Sequence, residues 1–151
     1  MKIIVSPAKT MIENTDSYIG SSIPTYIDHS ETLLKEIRKK TYEELKEIWK
    51  CNEKIADENF ERFKNMNLQG SLTPAIFSYQ GIQYQYMAVN VMESSSIEYI
   101  RKNLYILSGF FGILRAFDVV SPYRLEMQAK MKIGKYKNLY EFWGDKIYKE
   151  L

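Results

Sequence analysis

Between Leu107 and Met127 the chain reads LSGFFGILRAFDVVSPYRLEM, and this stretch restricts the fold more than any other. Gly109 and Gly112 stand among apolar residues and mark tight backbone turns, because glycine alone adopts positive φ without steric cost. Pro122 interrupts the run, and Arg115, Arg124 and Glu126 lie close to these breaks. A plain core needs none of those charges. A charge embedded in apolar sequence reaches the surface, pairs with another charge or faces a ligand.

The length of 151 residues suits one domain with a real core. A net charge of +2 is close to neutral, so a nucleic-acid partner would have to be met by a basic patch made by arrangement rather than by composition. Cys51 is the only cysteine and His29 the only histidine. No internal disulfide is possible, and zinc chemistry or a His-dependent triad within one chain is disfavoured. No cofactor and no metal site is expected. The opening MKIIVSPAKT is too short an apolar run for a signal-peptide core, and no window approaches the length of a membrane span. These features predict a soluble cytoplasmic protein with no membrane partner.

Local patterns predict a mixed α/β chain. Lys2 to Val5 reads as a strand stopped by Ser6-Pro7, followed by a loop-like stretch to Thr25. Three helices are expected next. Asp28 with Glu31 and Thr41 with Glu44 resemble capping boxes, Asn52 caps the third helix, and that helix turns Ile55, Ala56, Asn59, Phe60 and Phe63 inward. Ala75 to Ser78 reads as a strand and Tyr79-Gln80-Gly81 as a turn. Tyr84, Met87, Ala88 and Val91 trace a helical face, and Ser95 with Glu98 caps a helix to about Lys102. Leu104 to Leu107 reads as a buried strand. Tyr123 to Met127 alternates as a strand does, which puts Arg124 and Glu126 on one side. Asn138 to Leu151 reads as one helix with Leu139, Phe142, Trp143, Ile147 and Leu151 inward and Gly144 as a weak point. The fold class expected is a small mixed sheet flanked by helices in a single α/β domain, residues 1–151. The final helix has no capping glycine or following proline, so the chain is expected to be the amino-terminal part, or a shortened form, of a longer architecture.

Four places could carry chemistry. Ser6, Lys9 and Thr10 follow a strand, where ligands of α/β sheets collect beyond the carboxyl ends, and are suited to an anion; the plainer reading is a strand break with a solvated lysine. Gly109-Phe110-Phe111-Gly112 with Arg115 could be a turn opening a helix and presenting N–H groups to a phosphate, or a turn shaped for close packing with both phenylalanines in the core. Arg124 and Glu126 could flank one ligand or form a solvated strand face. Arginine suits bidentate phosphate or carboxylate contacts, and Glu126 could act as a general base or hold an arginine in place. Tyr79-Gln80-Gly81 is a weaker candidate. Tyr140, Phe142 and Trp143 are read as core rather than as a stacking platform.

VSPAKT at Val5 to Thr10, the block from Leu107 to Met127, and NLYEFWGD at Asn138 to Asp145 together resemble the YaaA-type peroxide-stress proteins. The resemblance extends over essentially the whole chain, and members are usually longer. It implies a cytoplasmic bacterial protein of the oxidative-stress response that limits peroxide damage by keeping free iron low. It further implies sequence-tolerant DNA binding through a basic cleft and a helix-hairpin-helix-like element, mapped here onto the strand-turn-helix expected around Gly109 to Arg115. The glycines of Gly-Phe-Phe-Gly stand one residue further apart than in the usual Gly-x-Gly hairpin, and Ala116 stands where members often have proline. The resulting expectation is a phosphate-binding set of Ser6, Lys9, Thr10, Gly109, Gly112, Arg115 and Arg124, with DNA as partner and an indirect effect on iron. The alternative is an enzyme acting on a phosphorylated small molecule or a nucleobase, with Glu126 as general base.

Overall fold

The computed structural model describes residues 1–151. The first strand, β1 (Ile3–Val5), ends at Ser6-Pro7, and a two-residue strand β2 (Thr10–Met11) follows the Ala8-Lys9 bend. Three helices come next: α1 (Ile27–Arg38), α2 (Tyr42–Trp49) and α3 (Glu53–Asn65). Thr41 and Glu44 form the expected reciprocal capping box on α2, and Asn52 accepts from the Ile55 N–H at the start of α3. Asp28 does not cap α1. The helix begins at Ile27, Tyr26 holds the cap position without a side-chain bond, and Asp28 already lies in the first turn.

The middle of the chain departs most from the sequence reading. Thr73–Pro74 forms β3, and Ala75–Ser78 is a single buried helical turn, α4, rather than a strand. Its first two N–H groups donate to the carbonyls of Asp118 and Ala116, so partners distant in sequence decide its backbone, not its β-branched content. Tyr79–Gln80 is β4, antiparallel to β2. The expected long helical face after Gly81 is cut short. Helix α5 (Ile82–Met87) stops where Ala88 turns left-handed at φ +47°, and a 3-10 turn over Val89–Val91 leaves Val91 exposed. Helix α6 (Ser94–Asn103) starts one residue before Ser95, with Glu93 at its cap, and Glu98 instead pairs with Arg101 and Lys102.

Helix α6 runs directly into β5 (Leu104–Ser108), which lies parallel to β1 in the register Ile3↔Leu104, Val5↔Ile106. After a turn at Gly109–Phe111 the chain returns as β6 (Gly112–Arg115), antiparallel to β5, completing a three-stranded sheet of order β1-β5-β6. The glycine pair therefore closes a β-hairpin and opens no helix, so the strand-turn-helix expected there is corrected. Ile113 and Leu114 are both buried and pair across to Leu107 and Ile106, which holds the segment as a strand between two packed faces. A short β7 (Val119–Val120) pairs antiparallel with β3. Tyr123 to Met127 keeps the alternation of buried Tyr123 and Leu125 with half-buried Arg124 and Glu126, but it has no strand partner.

The expected carboxyl-terminal helix is broken in two. Helix α7 (Leu139–Trp143) is capped by Asn138 and ends at Gly144, whose φ of +53° reverses the chain before α8 (Lys146–Glu150). Leu139, Phe142 and Trp143 are buried as expected, whereas Tyr140 is 60% exposed and belongs to the surface. Trp143 seals the hairpin: its Nε1–H donates to the Gly109 carbonyl at 2.9 Å, and its ring lies against Gly112. Phe110 and Phe111 pack edge-to-face at 4.9 Å beneath, with Phe63 and Tyr123 on Phe110. The one histidine, His29, stands apart from the charged residues singled out in the sequence. It fits among Tyr26, Phe142 and Trp143, and burial, aided by Lys146, pulls its pKa down. No helix is long and apolar enough to cross a membrane.

Two positions test this packing. A Cβ at Gly112 would sit 2.7 Å from the Trp143 ring on a backbone already at φ +78°, so Gly112→Ala is expected to cost about 1–3 kcal/mol, read as a lower thermal midpoint. Asp118 is buried and accepts from Ser22 Oγ, the Arg115 N–H and Arg115 Nε, so Asp118→Ala should cost about 1–3 kcal/mol for each buried donor it orphans. Desolvation raises the Asp118 pKa, against the opposing pull of Ser22 and Arg115. The folded state thus holds that proton more tightly than the unfolded chain, and this group's contribution to stability declines as pH rises through the raised value. Asp118→Asn should remove that slope from a pH series of unfolding midpoints.

Candidate functional site

The parallel pairing of β1 and β5 brings two carboxyl-terminal strand ends side by side, the position where α/β sheets leave an open crevice. Ser6-Pro7-Ala8-Lys9 leaves one strand there, and Leu107-Ser108-Gly109 ends the other. The extended segment Tyr123 to Gln128 crosses in front of both, enclosing a cavity of about 340 Å³. Gly109 makes this closure possible. A Cβ there would collide with the Leu125 carbonyl and crowd the backbone of Glu126 and Met127, so only glycine lets the hairpin and the crossing segment approach so closely.

Lys9, Arg124 and Glu126 face this cavity together with Ser6 and Gly109. The Lys9 ammonium, 69% exposed, lies 3.3 Å from the Glu126 carboxylate, which is 31% exposed. A pair this accessible is held weakly, so an incoming anion can compete for the lysine. Arg124 donates from Nε and Nη2 to the Trp49 carbonyl at 3.4 and 3.2 Å, which ties the guanidinium to the end of α2. Two of its five N–H groups are engaged in this way and three remain for a ligand.

Behind these charges lies a set of buried hydroxyls. Tyr123 OH is 2.6 Å from both Tyr79 OH and Ser108 Oγ, and Ser108 Oγ accepts from the Phe111 N–H at 2.9 Å. Burial pushes the Tyr123 phenol up to about 12 and Tyr79 well above its ordinary value, so both stay protonated at neutral pH and serve as neutral partners rather than bases. Tyr84 donates to the Ser6 carbonyl at 2.6 Å and fixes the loop that carries Lys9. Ser108 and Tyr123 were missed as lining residues. The only trace of Ser108 in the sequence is a hydroxyl closing an apolar strand.

Three expected residues lie elsewhere. Thr10 is in β2, paired with Gln80, and does not line the cavity. Gly112 packs on Trp143. Arg115 turns away to Asp118, at 3.1 Å from Nη2, and to the Ile23 carbonyl at 3.0 Å, so the basic cleft shared by all three cations reduces to Lys9 and Arg124. Asp118, three residues after Arg115, was the available signal for that diversion. Tyr79-Gln80-Gly81 is not the turn expected: Tyr79–Gln80 is strand β4 because it pairs with β2, and Gly81 caps α5. The segment contributes structurally, through the buried Tyr79 hydroxyl and the close fit of Gly81 to Ala8. Size alone does not single out this cleft. A larger groove of about 960 Å³ lies between residues 12–16 and 65–73, but its Arg62 is committed to Glu58 and to the Met11 carbonyl.

A family model described as peroxide stress protein YaaA matches residues 1–151. Curated relatives described as UPF0246 proteins, from Agathobacter rectalis and Lachnoclostridium phytofermentans, are each 54% identical over 151 residues, covering all of this chain but 61% and 59% of their own lengths. A third, from Ligilactobacillus salivarius, is also 54% identical and is covered over 61% of its length. The chain thus spans about three-fifths of the relatives it matches. On the strength of a match that runs from first residue to last, this chain belongs to the YaaA peroxide stress protein family.

Proposed function

We propose that this chain serves the bacterial peroxide-stress response in the cytoplasm by binding DNA without sequence preference, with backbone phosphates seated in the cleft between Lys9 and Arg124, so that free-iron-dependent damage is limited. The observation that carries the reading is the convergence of two cations, distant in sequence, on one cavity beyond the carboxyl ends of parallel strands. Phosphate contacts of this kind position a strand without reading its bases. Lys9 is free to exchange its weak pairing with Glu126 for a phosphate, and Arg124 offers its unengaged N–H groups from a fixed position. The effect on iron is read as indirect, since one cysteine, one histidine and scattered carboxylates form no cluster suited to holding the metal.

A second reading is favoured by Glu126. A carboxylate facing a cavity large enough for a small ligand fits an enzyme that acts on a phosphorylated small molecule or a nucleobase, with Glu126 as general base and the two cations holding the anion.

Mobility-shift titrations across salt concentrations test the first reading. Lys9→Ala and Arg124→Ala should each lower the slope of log affinity against log salt by about 0.9 on duplex DNA. Unchanged slopes in both would overturn the phosphate contacts. Glu126→Gln separates the two readings. It releases Lys9 and removes a negative charge, so DNA binding should tighten if the cleft is a phosphate seat, whereas an enzyme would keep its ligand and lose turnover.

A further inference from the structure

Beyond the cleft, the chain from Met127 to Tyr140 carries four lysines, Lys130, Lys132, Lys135 and Lys137, and no acid. Met131 and Ile133 anchor it, each 2% exposed, and a bridge between Ile133 and Tyr136 closes a tight turn at Gly134. With alternate residues turned inward, Lys130 and Lys132 are held outward on a fixed backbone. Together with Lys137 they surround a shallow cavity of about 300 Å³ whose remaining wall includes Tyr140. The ion pairs made by lysines in this chain involve Lys9, Lys39, Lys46, Lys102 and Lys149, and none of these three. Tyr140 is exposed although Leu139 and Phe142 of the same helix are buried, so its ring is presented to solvent from an anchored turn. The adjacent Glu141 is exposed too, and its carboxylate accepts from the Lys137 N–H at 2.8 Å.

Aromatic faces among unpaired cations are the chemistry of single-stranded nucleic-acid binding, in which bases stack and the backbone follows the positive charge. A lipid surface fits poorly, because the apolar side chains of this segment point into the core. We propose that Tyr140 with Lys130, Lys132 and Lys137 forms a second nucleic-acid subsite for an unpaired nucleotide, the base stacking on Tyr140 and flanking phosphates meeting the lysines. Gln128 lines both this cavity and the cleft, so one strand can pass from Lys9 and Arg124 onto Tyr140. The inference rests on the reading of the cleft as a phosphate seat, and it adds a preference for unpaired over duplex DNA.

Fluorescence anisotropy with labelled oligothymidylate and a duplex of equal length tests it on the chain as it stands. The wild-type chain should prefer the single strand. Tyr140→Ala should weaken oligothymidylate binding about tenfold and leave duplex binding unchanged, while Tyr140→Phe retains the stacking face and the affinity. Replacing Lys130, Lys132 and Lys137 together by glutamine should lower the single-strand salt slope by about 2. Oligothymidylate binding that is indifferent to Tyr140→Ala, or equally reduced by Tyr140→Phe, overturns the subsite. If duplex binding still depends on Lys9 and Arg124 in that case, the cleft reading survives alone; a wild-type chain that binds neither nucleic acid overturns both.

Discussion

The cleft exists because Ile3–Val5 lies parallel to Leu104–Ile106. Parallel neighbours need a long crossover, and here nearly a hundred residues, including six helices, are spent between the two strands. That expense places the carboxyl ends of both strands at the same edge of the sheet, so Lys9 and Gly109 become neighbours. Were the pairing antiparallel, the Ser6–Lys9 loop would sit at the opposite edge, away from Arg124 and Glu126. The proposed phosphate seat follows from that one register.

The second layer of the arrangement is a set of close backbone approaches that only small residues permit. Gly109 admits the Leu125–Met127 backbone, Gly112 admits the Trp143 ring, and Trp143 returns a hydrogen bond to the Gly109 carbonyl. The hairpin is thus clamped between the crossing segment on one side and α7 on the other. Tyr123 then links the wall of the cavity to the core through its hydroxyl partners and its packing on Phe110. These contacts fix the wall of the cleft, while Lys9 is held there only by its exposed pairing with Glu126 and Arg124 by the Trp49 carbonyl.

The sequence showed the parts of this arrangement whose causes are local. The capping box at Thr41 and the cap at Asn52 depend on residues within one turn, and they stand where expected. A strand at Leu104 and a turn at Gly109 also stand where expected, but Gly109 lacks the positive φ expected of it and is required instead by the approach of the distant Leu125–Met127 backbone. Elements fixed by distant partners were hidden. Ala75–Ser78 is helical because its N–H groups meet carbonyls at residues 116 and 118, and Gly112–Arg115 is a strand because β5 pairs with it. The site divides in the same way. Lys9, Arg124 and Glu126 sit beside recognisable breaks and converge, whereas Arg115, equally conspicuous, is claimed by the buried Asp118. Tyr140 shares an aromatic run with Phe142 and Trp143, and no local pattern separates the one ring that faces water from the two that do not.

The ends of β1 and β5 and the segment crossing them are proposed to form one nucleic-acid-binding surface. Amide chemical-shift mapping during titration with a short oligonucleotide tests this most directly. Perturbed resonances should cluster at Ser6–Lys9, Ser108–Gly109 and Arg124–Gln128 and extend towards Lys130. Perturbations centred on Arg115 and Ser22, or spread evenly over the surface with the cleft silent, would contradict it.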